Sequence, residues 1–285
     1  MYKKLLTCFD GSEQSRAALR ESALWVKKHG GELTMLHAVY FDTEEFGIMP
    51  TQLEKRVKHG QELCERAARE IEASTGVKVT TIIREGDPPD VIHDVADHLK
   101  PDLIVLGTHG SKGLKRLLLG SVTAHVVANS ESDVLVVKKP CEDCSGYYGS
   151  PLVSYDGSPY SAAALSRALE IAKIDGGQVT ALYVIPRYEE MIGFIKTKSI
   201  REALDKEAAR LLEMAAKSAN GNAIKTLTGE GYAADVINET DAKTGADLIV
   251  MGSHGYHGMN RALLGSTAQH VIMNAPCPVL VARRI

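Results

Sequence analysis

Two periods of apolar and polar residues alternate along this chain. Short β-rich runs at 4–9, 32–40, 78–84, 103–106 and 134–138 predict strands. Between them, 12–29, 53–74, 89–99 and 121–129 have the pattern of helices, the second of these long, charged and amphipathic. The runs LIVL and VLVV contain no polar position, as expected of strands covered by helices on both faces. Strands alternating with helices of this length predict right-handed βαβ units and a parallel sheet, an α/β fold. Two stretches, 41–50 and 186–198, break the rhythm after the second strand of each half. Both are longer than an ordinary βα loop and read as lids or as exposed connections.

The pattern occurs twice. LTCFDGSEQSRAAL (from Leu6) matches LVSYDGSPYSAAAL (from Leu152) and aligns Asp10 with Asp156. ELTMLHAVY (from Glu32) matches QVTALYVIP (from Gln178). EGDPPDVIHDVADHLKPDLIVLG (from Glu85) matches EGYAADVINETDAKTGADLIVMG (from Glu230), so the second copy is one residue shorter after its second strand. We therefore expect two homologous doubly wound domains, 1–139 and 150–285. They are joined by a linker, 140–149, marked by its Pro, Gly and Ser residues.

Composition narrows the class. A chain of 285 residues accommodates two domains of common size, and 44% hydrophobic with 24% charged residues describes an ordinary globular protein. The net charge of −3 provides no footprint for nucleic acid or an anionic membrane. No apolar run reaches the roughly 20 residues of a membrane span. Five cysteines, an odd and sparse set, argue against a disulfide framework and for a reduced, cytoplasmic setting.

The candidate chemistry lies in a glycine pattern, Gly-x2-Gly-x9-Gly-Ser. It comprises Gly107, Gly110, Gly120 and Ser121, then Gly252, Gly255, Gly265 and Ser266. Each copy starts at the carboxyl end of a predicted strand, where open α/β sheets bind ligands. The first two glycines can take positive φ and bring the main chain close to an anion. The Gly-Ser pair opens a helix whose first amides are unpaired, and the serine can cap that helix or bond a phosphate oxygen. Lys112, Lys115 and Arg116 in one copy, and Arg261 in the other, can neutralise phosphate charge. Asp10 and Asp156 end the first strand of each half. They can accept from ribose or base, or cap the following helix as part of Asp-Gly-Ser. His109 and His254 inside the loops, with His257 nearby, can contact phosphate or metal, or be ordinary polar loop residues. His125 and His270 on the last helices read as structural.

Other motifs carry less. Gly229, Gly231 and Ala234 fit a dinucleotide fingerprint, but the first half breaks it at Arg84 and Pro89, and the strand is the wrong one for that fold. No Walker-type loop occurs. Cys141 and Cys144 form a lone CxxC in the linker and read as bystanders; Cys8, Cys64 and Cys277 read as packing residues.

Taken together, CFDGSEQSRAAL, VSYDGSPYSAAAL, EGDPPDVI, EGYAADVI, DLIVLGTHG…GSVTAHVV and DLIVMGSHG…GSTAQHVI resemble the universal stress protein family in its tandem form, over nearly the whole chain. The resemblance implies two five-stranded parallel sheets of order 3-2-1-4-5 flanked by helices, and pairing of domains or subunits through the fifth strands. It implies ATP, or ADP or AMP, as ligand; Mg²⁺ enters with the slow-ATPase reading. The base is expected near Asp10 with Val39, and near Asp156 with Val184. The phosphates are expected on Gly107, His109, Gly110, Gly120, Ser121 and Val122, and on Gly252, His254, Gly255, Gly265, Ser266 and Thr267. The expected partners are an adenine nucleotide, the other domain and a second copy of the chain, not nucleic acid or membrane. Three functional readings stay open. One is a stress-response or regulatory protein switched by nucleotide, one a slow Mg-dependent ATPase, and one an AMP-binding or scaffold protein with vestigial sites.

Overall fold

The protein is described by a computed structural model over residues 1–40, 50–110, 119–138, 146–186, 198–254 and 264–283. The chain divides into two compact units, Met1–Tyr147 and Tyr148–Ile285.

The first unit runs β1 (Lys4–Cys8), α1 (Glu13–His29), β2 (Glu32–Val39), α2 (Pro50–Thr75), β3 (Val79–Glu85), α3 (Pro88–Leu99), β4 (Leu103–Gly107), α4 (Ser121–Asn129) and β5 (Asp133–Val137). Its strands pair in parallel in the order β3-β2-β1-β4-β5. The second unit runs β6 (Pro151–Ser154), α5 (Pro159–Asp175), β7 (Val179–Ile185), α6 (Lys198–Ser218), β8 (Ile224–Glu230), α7 (Ala233–Thr244), β9 (Leu248–Gly252), α8 (Ser266–Asn274) and β10 (Val279–Ala282). It repeats the order as β8-β7-β6-β9-β10, again all parallel.

Local sequence explains these elements. Ser12 caps α1 by accepting the Ser15 amide, and Ser158 caps α5 by accepting that of Ser161. Pro159 occupies the first turn of α5, where its missing N–H costs nothing. Gly176 and Gly245 end α5 and α7 in the left-handed region. The central strands are apolar and buried, as at Leu6, Ile104, Leu152 and Ile249. Each such side chain contributes about 1.5–3 kcal/mol by leaving water. The edge strands β3 and β8 alternate with exposed Thr, Lys and Glu instead.

One polar device is built twice. Asp102, just before β4, accepts the amides of Lys3 and Lys4 at 2.7 and 2.9 Å. Asp247, just before β9, accepts those of Gly149 and Ser150 at 2.6 and 2.9 Å. Each carboxylate thus clamps the starts of two adjacent strands. Burial pushes the Asp247 carboxyl above its usual range, partly offset by those amides.

The stretches 41–49 and 187–197, read above as lids or connections, lie outside the described residues, as do Cys141 and Cys144.

Candidate functional site

In each unit the carboxyl ends of the two central strands bring together a strand-to-helix turn and a glycine loop. The turn comes first. Gly11 and Gly157 have φ of +81° and +79°, the left-handed region that favours glycine. A Cβ on them would also press on Leu63 and Leu211 of the next helix. Asp10 Oδ1 accepts the Ser12 amide at 3.0 Å and its hydroxyl at 2.6 Å. Asp156 Oδ1 accepts the Ser158 amide at 2.9 Å. The aspartates therefore close Asx turns, and the helix caps expected of them are the serines two residues on. Asp10 Oδ2 faces the glycine loop: a Cβ on Gly110 would lie 2.6 Å from it.

The loop glycines work by close approach rather than by positive φ. Gly107, Gly110, Gly120, Gly252 and Gly265 are all outside the left-handed region, contrary to the expectation for the first two. Gly107 lets β4 pack onto the start of α1, where a Cβ would meet Gln14 Cβ at 2.6 Å and the Ser15 amide nitrogen at 3.0 Å. Gly252 does the same beneath Tyr160. Gly120 sits against Thr108: a Cβ on it would lie 3.1 Å from the Thr108 carbonyl oxygen. Gly265 is different: a Cβ there would make only ordinary contact, 3.5 Å, with the Ser253 carbonyl.

Gly120 and Gly265 occupy the N-cap positions of α4 and α8, neither with a side-chain cap. Ser121 and Ser266 are the first helical residues, so they do not cap. Their side chains are exposed, and Val122 and Thr267 follow, half-buried. The first-turn amides of both helices thus point outward at the positive end of the helix dipole.

The loop histidines are pinned by buried hydroxyls. His109 Nδ1 lies 3.1 Å from Thr108 Oγ1, and His254 Nδ1 lies 3.0 Å from Ser253 Oγ. Thr108 and Ser253 are almost wholly buried. His254 is buried, with its ring tilted against that of Tyr160 at 5.4 Å. His109 is half-buried, and its Nε2 is a buried atom without a hydrogen-bond partner. Its main chain lies between the starts of two helices. Ser12 Oγ is 3.5 Å from its carbonyl, and a Cβ on Gly120 would be 3.4 Å from its Cα.

Val39 ends β2 with its carbonyl accepting the Gly86 amide at 3.2 Å and its side chain buried. The matching bond in the second unit is from Gly231 to Ile185, at 3.0 Å. Ile185, not Val184, is therefore the counterpart of Val39; Val184 matches Ala38, one residue earlier, which reverses the face of a strand. Gly255, His257, Lys112, Lys115, Arg116 and Arg261 lie outside the described residues.

Residues not singled out in the sequence complete the site. Thr123 Oγ1 donates to the Gly107 carbonyl at 2.7 Å in a buried setting, tying the first turn of α4 to the end of β4. Its counterpart is Ala268. A hydroxyl two positions after Gly-Ser was the only available signal. The dinucleotide-like glycines have packing roles: Gly229 abuts Val236, and Gly231 has φ +145°. His270 pairs with Asp235 of α7 at 3.5 Å. Burial, reinforced by Asp10, pushes the Cys8 thiol up, which suits a packing residue. Among the described residues no cluster of three or more His, Cys, Asp or Glu side chains could hold a metal ion, and no helix is long and apolar enough to cross a membrane.

Comparison with known proteins gives a consistent result. The sequence model of the universal stress protein family matches residues 1–138 and again 149–283. A universal stress protein of Methanocaldococcus jannaschii is 36% identical over 146 residues, covering 49% of this chain and 84% of that protein. One from Mycolicibacterium smegmatis is 26% identical over 288 residues, covering 98% of this chain and 96% of its own. The crystal structure of a universal stress protein from Archaeoglobus fulgidus superposes with a TM-score of 0.75 at 25% identity, covering 98% of this chain and 96% of that one.

Proposed function

This chain belongs to the universal stress protein family, with two tandem copies of its domain, and from that premise we propose that each half binds an adenine nucleotide. The observation that carries the reading is at Gly265. No positive φ and no close neighbour among the described residues requires glycine there. Yet the residue stands at the open N-terminus of α8. A bare main chain at a helix start is what an approaching phosphate needs. Gly120 holds the same place at α4. His109 Nε2, buried and unpartnered, offers a further polar contact beside that loop.

The phosphates would lie on the first-turn amides of Ser121 and Val122, and of Ser266 and Thr267. Mg would arrive with them, since the described side chains form no cluster of their own for it. Asp10 and Asp156 each use Oδ1 in a turn, and Oδ2 of Asp10 faces the loop. Among the described residues nothing marks a general base aimed at an attacking water, and binding rather than turnover is the function we assign. Binding then acts by biasing a conformation or a partner surface, in a protein expected in the cytoplasm.

The test is the identity and stoichiometry of nucleotide. Mass spectrometry of ligand released from the purified chain should find an adenine nucleotide. Calorimetry with MgATP should give two sites, reduced to one by Gly265→Val. An unchanged stoichiometry in that variant would refute the placement. Hydrolysis of ATP over hours under single-turnover conditions would overturn the assignment of binding alone.

A further inference from the structure

The seam between the first two helices of each unit is filled differently in the two halves. In the first unit Arg16 of α1 fills it. Its guanidinium lies 5.7 Å from the centre of the Phe9 ring, donates Nε to the Gly11 carbonyl at 3.3 Å and reaches Glu70 of α2 at 3.5 Å. In the second unit Phe9, Arg16 and Glu70 are all replaced. The match of LTCFDGSEQSRAAL with LVSYDGSPYSAAAL puts Tyr155 at Phe9 and Ala162 at Arg16. Leu63 and Leu211 take the same place against Gly11 and Gly157, and seven residues beyond them stand Glu70 and Ser218.

Tyr155, Ala162 and Ser218 line a groove of about 430 Å³ between α5 and the end of α6, a volume of the size that holds small ligands. Its apolar lining is Leu165 and Leu169, both buried, on the same stripe of α5 as Ala162. Tyr155 is only 4% exposed, and among the described residues its hydroxyl has no hydrogen-bond partner. Phe9 packs at this place without a hydroxyl, and a buried tyrosine ordinarily gives its hydroxyl a partner. Burial, reinforced by Asp156, pushes the phenol above its usual range, so it presents an O–H. The other uncharged polar lining residues are Ser166, Ser218, Asn220 and Asn222. Ser218 donates its hydroxyl to the Met214 carbonyl at 2.9 Å, and Asn222 donates Nδ2 to the Ala219 carbonyl at 2.7 Å. Each keeps a side-chain oxygen that can accept. Glu170 and Lys173 add one charge of each sign.

We propose that the groove between α5 and α6 is a further binding site, distinct from the glycine loop of the same unit, and that it takes a small neutral sugar. A sugar presents an apolar C–H face and hydroxyls that both donate and accept. Leu165 and Leu169 suit the face. The Tyr155 O–H can donate, and the oxygens of Ser218 and Asn222 can accept. The opposite charges of Glu170 and Lys173 offset each other, so the lining gives a phosphorylated or otherwise anionic ligand no advantage. The first unit cannot offer the same site, because Arg16 lies over Phe9 and reaches Glu70. This assignment stands independently of nucleotide binding.

Ligand-observed NMR and calorimetry of the full chain with glucose and maltose test the site. At least one of the two sugars should bind saturably at one site per chain, and glucose 6-phosphate should displace it poorly. Tyr155→Phe, which installs the first unit's residue, should weaken binding about five-fold through the loss of one hydrogen bond. Ala162→Arg combined with Ser218→Glu rebuilds the arginine closure of the first unit and should abolish sugar binding, with the response to MgATP unchanged. Thermal unfolding of each variant shows that it is folded. Absence of saturable binding by either sugar would overturn the proposal. So would binding that survives the paired substitution in a folded chain, or displacement by glucose 6-phosphate as effective as by glucose. If the paired variant does not fold, Tyr155→Phe decides: unchanged affinity in that variant overturns the site.

Discussion

Gly110 and Asp10 meet across the mouth of the first site: a Cβ on the glycine would lie 2.6 Å from Oδ2 of the aspartate. That oxygen belongs to a carboxylate whose other oxygen closes the turn into α1. The loop and the turn therefore depend on each other. Gly110→Ala should push the carboxylate aside and misplace the loop. We expect MgATP stoichiometry to fall from two to one, with a stability loss of only about 1 kcal/mol because the contact lies at the surface end of the strands. Calorimetry and thermal unfolding of the same variant give the two readouts. A full loss of folding would mean that Gly110 serves the core instead.

Gly107 and Gly265 should separate packing from ligand approach. At Gly107 a Cβ collides with Gln14 of α1, so Gly107→Ala should destabilise by about 1–3 kcal/mol. At Gly265 it finds room, so Gly265→Ala should leave stability within about 0.5 kcal/mol yet weaken nucleotide binding in the second half. Urea unfolding midpoints paired with binding isotherms distinguish the two outcomes.

Asp241 should make stability depend on pH. It is buried on α7, its Oδ1 accepts from the Cys277 thiol at 3.4 Å, and its Oδ2 has no hydrogen-bond partner. Burial pushes its carboxyl above the usual range, more than the thiol bond lowers it. The folded state thus holds the proton more tightly than the unfolded chain, whose Asp titrates near about 3.9. This group's contribution is whole below that value and is lost as pH rises through the raised folded value. Asp241→Asn should remove this part of the pH dependence and stabilise the protein at neutral pH by about 1 kcal/mol. The difference in urea midpoint between wild type and variant, followed from acid to neutral pH, should widen. A constant difference would show that Asp241 binds its proton equally in the folded and unfolded chain.

Lys100 ends α3 with φ +47°, a left-handed conformation that costs a residue with a side chain roughly 1–2 kcal/mol. Its counterpart at the end of α7 is Gly245, with φ +65°. Its ammonium reaches Asp97 at 3.4 Å, an exposed pair of small value. Lys100→Gly should therefore stabilise the first unit by up to about 1 kcal/mol, seen as a raised unfolding midpoint. A lowered midpoint would mean that the ion pair outweighs the backbone strain.

Much of the architecture was readable without coordinates. The all-apolar runs, the alternation of strand and helix and the repetition of Asp-Gly-Ser and Gly-x2-Gly-x9-Gly-Ser specify two doubly wound units, because period and length constrain which elements can bury their faces. The presence of glycines in each loop was equally plain. Their reasons were not. Gly107 and Gly110 were read as free to take positive φ, but what they provide is room for Gln14 and for Asp10, and that depends on neighbours distant in the chain. Ser121 could serve as a cap or bond a phosphate, and Gly120 stands at the cap position. Val184 lay one step from the counterpart of Val39: the match of ELTMLHAVY with QVTALYVIP already pairs Val39 with Ile185, and the bond from Gly231 to Ile185 agrees. Thr123 and Ala268 would pass for ordinary helix residues. Whether a hydroxyl there reaches the Gly107 carbonyl is decided when α4 packs against β4. The sequence by itself determined the elements, their repetition and the residue types at each strand end, because those follow from local periodicity and turn chemistry. Tertiary structure alone decided which glycine yields to a side chain, which to a carboxylate and which to open space, because close approach belongs to pairs of segments that only folding brings together.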